Sequence, residues 1–295
     1  MPNVSVIIPT RNRPALLARA IQSVRAQTYR DWELVVVDDA SEEPVCDFVA
    51  TLGDNRIRCF RLDISSGGGA ARNAGIRAAK GTFIAFLDDD DEWVPEKLLV
   101  QMSRFATTGP EVGFCFSSVT TVYDDHTEES VVEDGILNHF ERALRNPKGY
   151  LTVTLIVKRP VFDVVGYFDE SFPSHQEAEF IVRVAKRFLG LGINRSLVSV
   201  NMHSGHAHIG GDIRRRILGR EMLINKHKEY FLQNKKVLAS HYFQLGLWYR
   251  SLNEFQKAQT CFWQSFILRK SFRNLLHFIS MSWNGFPYRM SSARR

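Results

Sequence analysis

Cysteine is scarce in this chain: four in 295 residues, at positions 46, 59, 115 and 261, with no CxxC pair. That pattern argues against a zinc site and against a disulfide framework, and makes a reducing cytoplasm the default compartment. Long apolar runs are missing as well. No stretch of about 18 apolar residues is available to span a bilayer. The most apolar tail segment, Leu275 to Trp283, is broken by His277, Ser280 and Ser282. The first residues are already strand-like at Val4-Ser5-Val6-Ile7-Ile8 and carry neither the basic n-region nor the cleavage site of a signal peptide. Acidic residues are rare in the last third. Residues 186–295 hold 19 Lys/Arg and 4 Asp/Glu, a balance of +15, whereas residues 1–185 hold 19 and 28, a balance of −9; the sum is the net +6. A basic tail of this kind suits phosphate-bearing partners, either nucleic acid or an anionic membrane surface. A solvated helical surface has the same composition, and no nucleic-acid-binding module is recognisable.

What is present is a strand-and-helix alternation. Val4 to Ile8 reads as a buried parallel strand, followed by the loop Pro9-Thr10-Arg11-Asn12-Arg13 and a helix with Pro14 at its start. Leu16, Leu17, Ala20, Ile21 and Val24 mark the buried face of that helix. Glu33 to Val37 is a second strand, ending in Asp38-Asp39, and Ile57 to Leu62 a third. Ser65 to Gly69 reads as a flexible loop feeding an Ala-rich helix that stops at Gly81. Thr82 to Leu87 is then a buried strand that runs into Asp88-Asp89-Asp90-Asp91-Glu92-Trp93. This alternation predicts an α/β fold, a doubly wound and mostly parallel sheet with helices on both faces. Further on, Val112 to Val122, Thr152 to Val157 and Leu197 to Met202 read as strands, and Glu177 to Phe188 as a helix. Domain boundaries are expected at 1–213 for the α/β part and 214–295 for a basic α-helical region. Within the latter, Leu245-Gly246-x-x-Tyr249 and Ala258-x-x-x-Phe262 approach a single tetratricopeptide-like hairpin.

Two strands ending in Asp-Asp pairs on one sheet edge place carboxylates where α/β sheets collect ligands. Four consecutive carboxylates repel one another, so they favour a bound cation or full exposure. An acidic turn before a helix is the plain alternative.

Five pieces in order carry more information than any one of them. Pro9-Thr10-x-Asn12-Arg13, Val37-Asp38-Asp39-Ala40-Ser41, Ala71-Arg72-Asn73-x-Gly75-Ile76, Phe86 to Asp91 with Trp93, and Gly166-x-Phe168-Asp169-Glu170 together resemble the family-2 glycosyltransferases, which have the GT-A fold. The resemblance covers roughly residues 3–210. It implies an inverting glycosyltransferase of bacterial surface polysaccharide or lipopolysaccharide synthesis. The implied donor is a nucleotide sugar, UDP-linked; the acceptor is a saccharide or a lipid-linked sugar. The resemblance also implies the site. Asp39 would accept the uracil N–H, with Pro9, Thr10 and Asn12 on the rim of the nucleotide pocket. Asp38 is balanced between a base or ribose contact and capping its own turn. Gly69 would let the backbone approach the ligand, and Arg72 would contact the uridine or diphosphate, or else sit on a helix surface. The DxD motif is Asp88-x-Asp90. Asp90 is the leading ligand for Mn²⁺ or Mg²⁺, with Asp88 and Asp89 at ribose or metal-bound water, and Asp91 structural. The base falls in His175-Gln176-Glu177-Ala178-Glu179. Glu177 aligns with the family's usual Asp although Ala178 replaces the usual aromatic; Glu179 is the fallback, and both also suit a helix N-terminus. His203 or His206, beside His208, would be a metal or diphosphate contact.

The basic aromatic tail, with Trp263, Phe266, Phe278, Trp283 and Tyr288, suits peripheral contact with the inner face of a membrane. Self-association stays open. Two other classes share some of these features. A sugar-phosphate nucleotidyltransferase needs a Gly-rich loop where this chain has Pro9 to Arg13, and a non-catalytic nucleotide-binding or protein-interaction module has no use for the intact aspartate set.

Overall fold

The computed structural model describes residues 2–146, 149–202 and 212–282. The chain divides into two compact units, residues 1–172 with 176–207, and residues 173–175 with 208–295.

In the first unit, β1 (Val4–Thr10) and β2 (Trp32–Asp38) are buried almost throughout, as Val/Ile/Leu-rich strands in a two-sided sheet must be. α1 (Pro14–Arg25) begins with Pro14 at a position where no backbone N–H is needed, and it buries Leu17, Ala20, Ile21 and Val24. α2 (Val45–Thr51), β3 (Ile57–Arg61), α3 (Gly67–Ala78) and β4 (Phe83–Phe86) complete a parallel β3-β2-β1-β4 array. Its register sets the site. Thr10 lies opposite Asp38, and Ile7 opposite Phe86, so the chain leaves β1, β2 and β4 at one carboxyl edge.

The sheet continues through β5 (Glu92–Trp93), α4 (Lys97–Phe105), β6 (Val112–Val122), β7 (Thr127–Ser130), β8 (Gly135–Leu137) and α5 (Phe140–Arg145). β9 (Ile156–Lys158), α6 (Pro160–Val165), α7 (Gln176–Ala185) and β10 (Leu189–Asn201) follow. β9 is antiparallel to β4 and β6, β10 runs parallel to β6, and β5 closes the order antiparallel to β10.

Three expectations change. Gly67 to Gly69 are the first turn of α3 rather than a flexible loop, because the Asp39 carboxylate accepts the amides of Ser66 and Gly67 that a helix start leaves unpaired. Thr152 to Thr154 form a 3-10 turn, leaving only Ile156–Lys158 as strand. Cys46 and Cys59 are joined in a disulfide, with Cα atoms 5.3 Å apart, against the expectation of none. α2 lies against β3, which brings the two thiols together across 13 residues; neither spacing nor motif announces that packing.

The second unit is helical: α8 (Ile213–Lys226), α9 (Lys228–Gln233), α10 (Lys235–Ser251), α11 (Phe255–Leu268) and α12 (Phe272–Ser282). Asp212 caps α8 by accepting from Arg214 N and Arg215 N. The tetratricopeptide-like spacing forms the α10–α11 pair. A Cβ on Gly246 would stand 2.7 Å from Phe262 Cε1, so only glycine admits that ring, and Ala258 and Phe262 are fully buried.

Candidate active site

At the end of β2, Asp38 and Asp39 serve different purposes. Asp38 is buried, and its Oδ1 accepts from Ser41 N at 2.9 Å. Its Oδ2 takes Val45 N at 3.3 Å and Arg61 Nη1 at 3.0 Å. Burial alone would raise this carboxyl, but those donors hold it below the usual carboxylate range. These contacts tie Asp38 to its own loop. Asp39 Oδ1 accepts from Ser66 N at 2.7 Å, while Oδ2 takes Ser65 Oγ at 2.9 Å and Gly67 N at 3.0 Å. A carboxylate offers about four lone-pair sites. Three donors therefore leave it room to accept one more.

Asn12 joins the same wall in a left-handed conformation that asparagine tolerates, with φ 56°. Its N–H donates to Ser41 Oγ, and its Oδ1 accepts from Glu42 N at 2.8 Å. Pro9 and Thr10 end β1 beside it.

The four aspartates after β4 are not equivalent. Asp88 is one-third exposed and accepts from Arg72 Nη2 at 2.6 Å. Asp89 is buried, taking Thr10 Oγ1 at 2.7 Å and Arg13 Nη1 at 3.2 Å. Burial, with Asp90 and Asp88 nearby, lifts it to about 6 against the pull of Thr10 and Arg13. Asp90 also meets Arg13 Nη1, at 3.0 Å. Asp91 is buried and accepts Asn201 N at 3.1 Å, and burial together with Asp88 and Asp90 lifts it to about 9. It therefore ties the acidic turn to the end of β10. Asn201 adds a second tie through Nδ2 to the Asp90 carbonyl.

Arg72 projects from α3 into this cluster. Its side chain is 12% exposed, and its Nε is buried without a hydrogen-bond partner. An arginine nitrogen left dry beside a carboxylate cluster is suited to an anion delivered from outside. Gly69, one turn earlier, faces the protein: a Cβ there would fall 2.9 Å from Gln176 Nε2 on α7. Its missing side chain leaves room for the Gln176 amide.

Glu177 follows Gln176 on α7. It is half-buried. Burial, with Asp88, pushes its carboxyl above the usual range against the opposing pull of Arg72. Glu179 is fully buried, and its two oxygens take Arg183 Nε and Nη2 at 2.8 Å each. His203 and His206 lie outside the described residues.

Sequence reasoning quoted Arg13, Asn73 and Gln176 within its motifs without giving them a role, and missed Asn201. Arg13 could have been found by asking which cations face four carboxylates. Asn201 stands 110 residues from Asp91 and carries no local signal.

The donor set fits a hard divalent cation. Asp88 and Asp90 offer carboxylate oxygens, and Asp89 and Asp91 are raised by burial first and then by neighbouring like charge, of which a cation would relieve the second part. Among the described residues no group of three His, Cys, Asp or Glu is arranged to hold a metal by itself. One or two carboxylates completed by ligand phosphates is how Mg²⁺ usually binds.

The sequence model of "Glycosyl transferase family 2" matches residues 5–163. Among curated relatives, the Escherichia coli protein named UDP-Glc:alpha-D-GlcNAc-diphosphoundecaprenol beta-1,3-glucosyltransferase WfgD is 41% identical over 100 residues, covering 34% of this chain and 40% of that protein. The succinoglycan biosynthesis protein ExoO of Rhizobium meliloti is 39% identical over 112 residues, 38% of this chain and 32% of that one. The matched stretches thus span at most about two-fifths of these relatives' own length. Among solved structures, S. aureus TarS 1-349 in complex with UDP-GlcNAc superposes with a TM-score of 0.62 at 18% identity, covering 95% of this chain and 79% of that one. At that identity the likeness establishes the shared fold, the GT-A arrangement expected from the sequence.

Proposed function

The chain belongs to glycosyl transferase family 2, and on that premise we propose a metal-dependent, inverting transfer of sugar from a UDP-sugar to a saccharide or lipid-linked acceptor in bacterial surface polysaccharide synthesis. The observation that carries this reading is the convergence of Asp39, Arg72, Asp88 and Glu177, from β2, α3, the β4 edge and α7. Asp39 takes the uracil N–H in its remaining acceptor position. Arg72, held by Asp88, offers its dry Nε to the diphosphate. Asp90 and Asp88 would hold Mn²⁺ or Mg²⁺. When bound, the ion stabilises negative charge on the departing nucleoside diphosphate.

Glu177 removes the proton from the acceptor hydroxyl as that oxygen bonds to the anomeric carbon, and the carbon–phosphate oxygen bond breaks with its electron pair leaving on UDP. A raised carboxyl is the better base near neutral pH. Glu179, with both oxygens on Arg183, is occupied elsewhere. The names of the relatives support this reading: WfgD's specifies UDP-Glc and a diphosphoundecaprenol acceptor, and TarS was solved with UDP-GlcNAc.

A lipid-linked acceptor would bring the enzyme to a membrane surface, and the family resemblance makes that the cytoplasmic face. No helix among the described residues is long and apolar enough to cross a membrane. Trp263, Ile267, Phe272, Leu276 and Ile279 are exposed on α11 and α12, and no Asp or Glu occurs from residue 255 to 295. Basic, apolar helix faces of this kind bind anionic bilayer surfaces. Co-sedimentation with anionic vesicles checks this, and a protein left wholly in the supernatant removes the membrane from the proposal.

The deciding experiment is calorimetric titration of UDP with and without Mn²⁺, on the wild type and Asp90→Asn. Expected is Mn²⁺-dependent binding that weakens at least about tenfold in the variant. No UDP binding under any metal condition refutes the UDP-sugar donor.

A further inference from the structure

The turn from Gly166 to Glu170 takes no part in the donor chemistry, yet three elements of the site grip it. Asn73, next to Arg72 on α3, is buried and uses both ends of its amide. Its Nδ2 donates to the Phe168 carbonyl and to Glu170 Oε1, each at 2.8 Å, while its Oδ1 accepts from Phe168 N at 3.0 Å. From α7, Arg183 donates to the carbonyls of Val165 and, at 2.7 Å, Tyr167, and also to the two oxygens of Glu179. The Phe168 ring stands edge-on to Phe86 of β4, two residues before Asp88, with centroids 5.4 Å apart. On its other side it lies 4.6 Å from Phe180, about one helical turn beyond Glu177.

Each of the three elements joined here carries one part of the site: α3 carries Arg72, β4 leads to Asp88, and α7 carries Glu177. Apolar packing alone is non-directional and lets a helix slide or rotate. Hydrogen bonds to a buried backbone fix both. We propose that the Gly166–Glu170 turn is the brace that sets Glu177 against the donor site, with Asn73 and Arg183 as positioning residues that touch no substrate. The inference rests on the reading of Glu177 as the base.

The test measures transfer kinetics and UDP affinity in Mn²⁺ for wild type, Asn73→Asp, Asn73→Ala and Arg183→Lys. Asn73→Asp keeps the shape but turns an acceptor oxygen toward the Phe168 carbonyl and the Glu170 carboxylate. Arg183→Lys keeps the charge but cannot reach two carbonyls and a carboxylate together, and it carries the same test if the Asn73 variants do not fold. Leu17→Ala, in the core beneath α1, is the control for general destabilisation. Expected in the positioning variants is a kcat lower by about ten- to a hundredfold with UDP affinity within about threefold of wild type. The acid limb of the kcat–pH profile should also shift, since the surroundings of Glu177 change. Leu17→Ala should melt earlier with kcat per folded molecule within about twofold. Folded Asn73→Asp or Arg183→Lys turning over at the wild-type rate overturns the brace, as does UDP affinity falling in step with kcat. Absence of UDP binding or transfer in the wild type would refute the enzyme reading instead, so the two failures are distinguishable.

Discussion

Two glutamates lie two residues apart on α7, and replacing each by glutamine should give opposite phenotypes. Glu177→Gln removes the base without changing the shape of the helix. The loss of a positioned general base is about 10²–10⁴ in rate, so kcat should fall at least about a hundredfold with UDP affinity intact. Its stability should not fall. The folded protein raises the Glu177 carboxyl above its unfolded value, so the folded state binds the proton more tightly. Ionising this group therefore costs stability as pH rises from the ordinary glutamate range through the folded value. Glu177→Gln abolishes that cost, and its melting temperature relative to wild type should rise with pH over that window. Glu179→Gln acts in reverse. Breaking a buried ion pair costs about 3–5 kcal/mol. Arg183 is 19% exposed in its side chain and keeps its two carbonyl acceptors, so about 2–3 kcal/mol is expected here. At about 2–4 °C per kcal/mol for a unit of this size, melting should fall by roughly 5–10 °C. Because Arg183 also steadies α7, kcat per folded molecule should fall, but by no more than about tenfold. Scanning calorimetry and initial rates on the same preparations decide the matter. If Glu179→Gln were the inactive variant and Glu177→Gln kept more than about a tenth of wild-type turnover, the base assignment and the electrostatic argument behind it would both be wrong.

Three further outcomes follow from single contacts. Asp39→Ala should weaken UDP binding by about ten- to a hundredfold, the loss of one hydrogen bond to a charged acceptor; titration within threefold of wild type would remove Asp39 from the nucleotide pocket. Gly75→Ala puts a Cβ 2.5 Å from Ile7 Cγ2. It should cost about 1–3 kcal/mol in a denaturant titration, and an unchanged midpoint would mean that α3 packs less tightly on β1 than it does here. Reducing Cys46–Cys59, or replacing either by serine, opens a 13-residue separation and should cost about 3 kcal/mol. Alkylation and mass spectrometry of protein taken directly from cells would tell whether the pair is a bond or two thiols there; two thiols are expected if the enzyme works in a reducing cytoplasm.

Much of this protein was legible in its residues. Val4 to Ile8 and Glu33 to Val37 have the near-continuous apolar pattern of strands covered on both faces, and the helix between them has its apolar stripe at Leu17, Ala20, Ile21 and Val24. Because parallel strands must share a carboxyl edge, Asp38-Asp39 and Asp88 to Asp91 had to converge there. The Gly246–Tyr249 and Ala258–Phe262 spacing sufficed for a helical hairpin. These features are written within windows of ten to twenty residues, where periodicity and turn chemistry act directly.

The division of labour among the carboxylates was not written there. Asp38 and Asp39 are neighbours of identical chemistry, and only the arrival of Arg61 and Val45 at one, and of the α3 amides at the other, separates a loop organiser from a ligand candidate. Asp91 became structural because Asn201 returns to it across 110 residues. Cys46 met Cys59 because a helix folded back on a strand. A local sequence fixes which way a side chain can point from its own element, whereas burial, partner and protonation depend on which distant segment packs opposite, and that is decided by the tertiary fold alone.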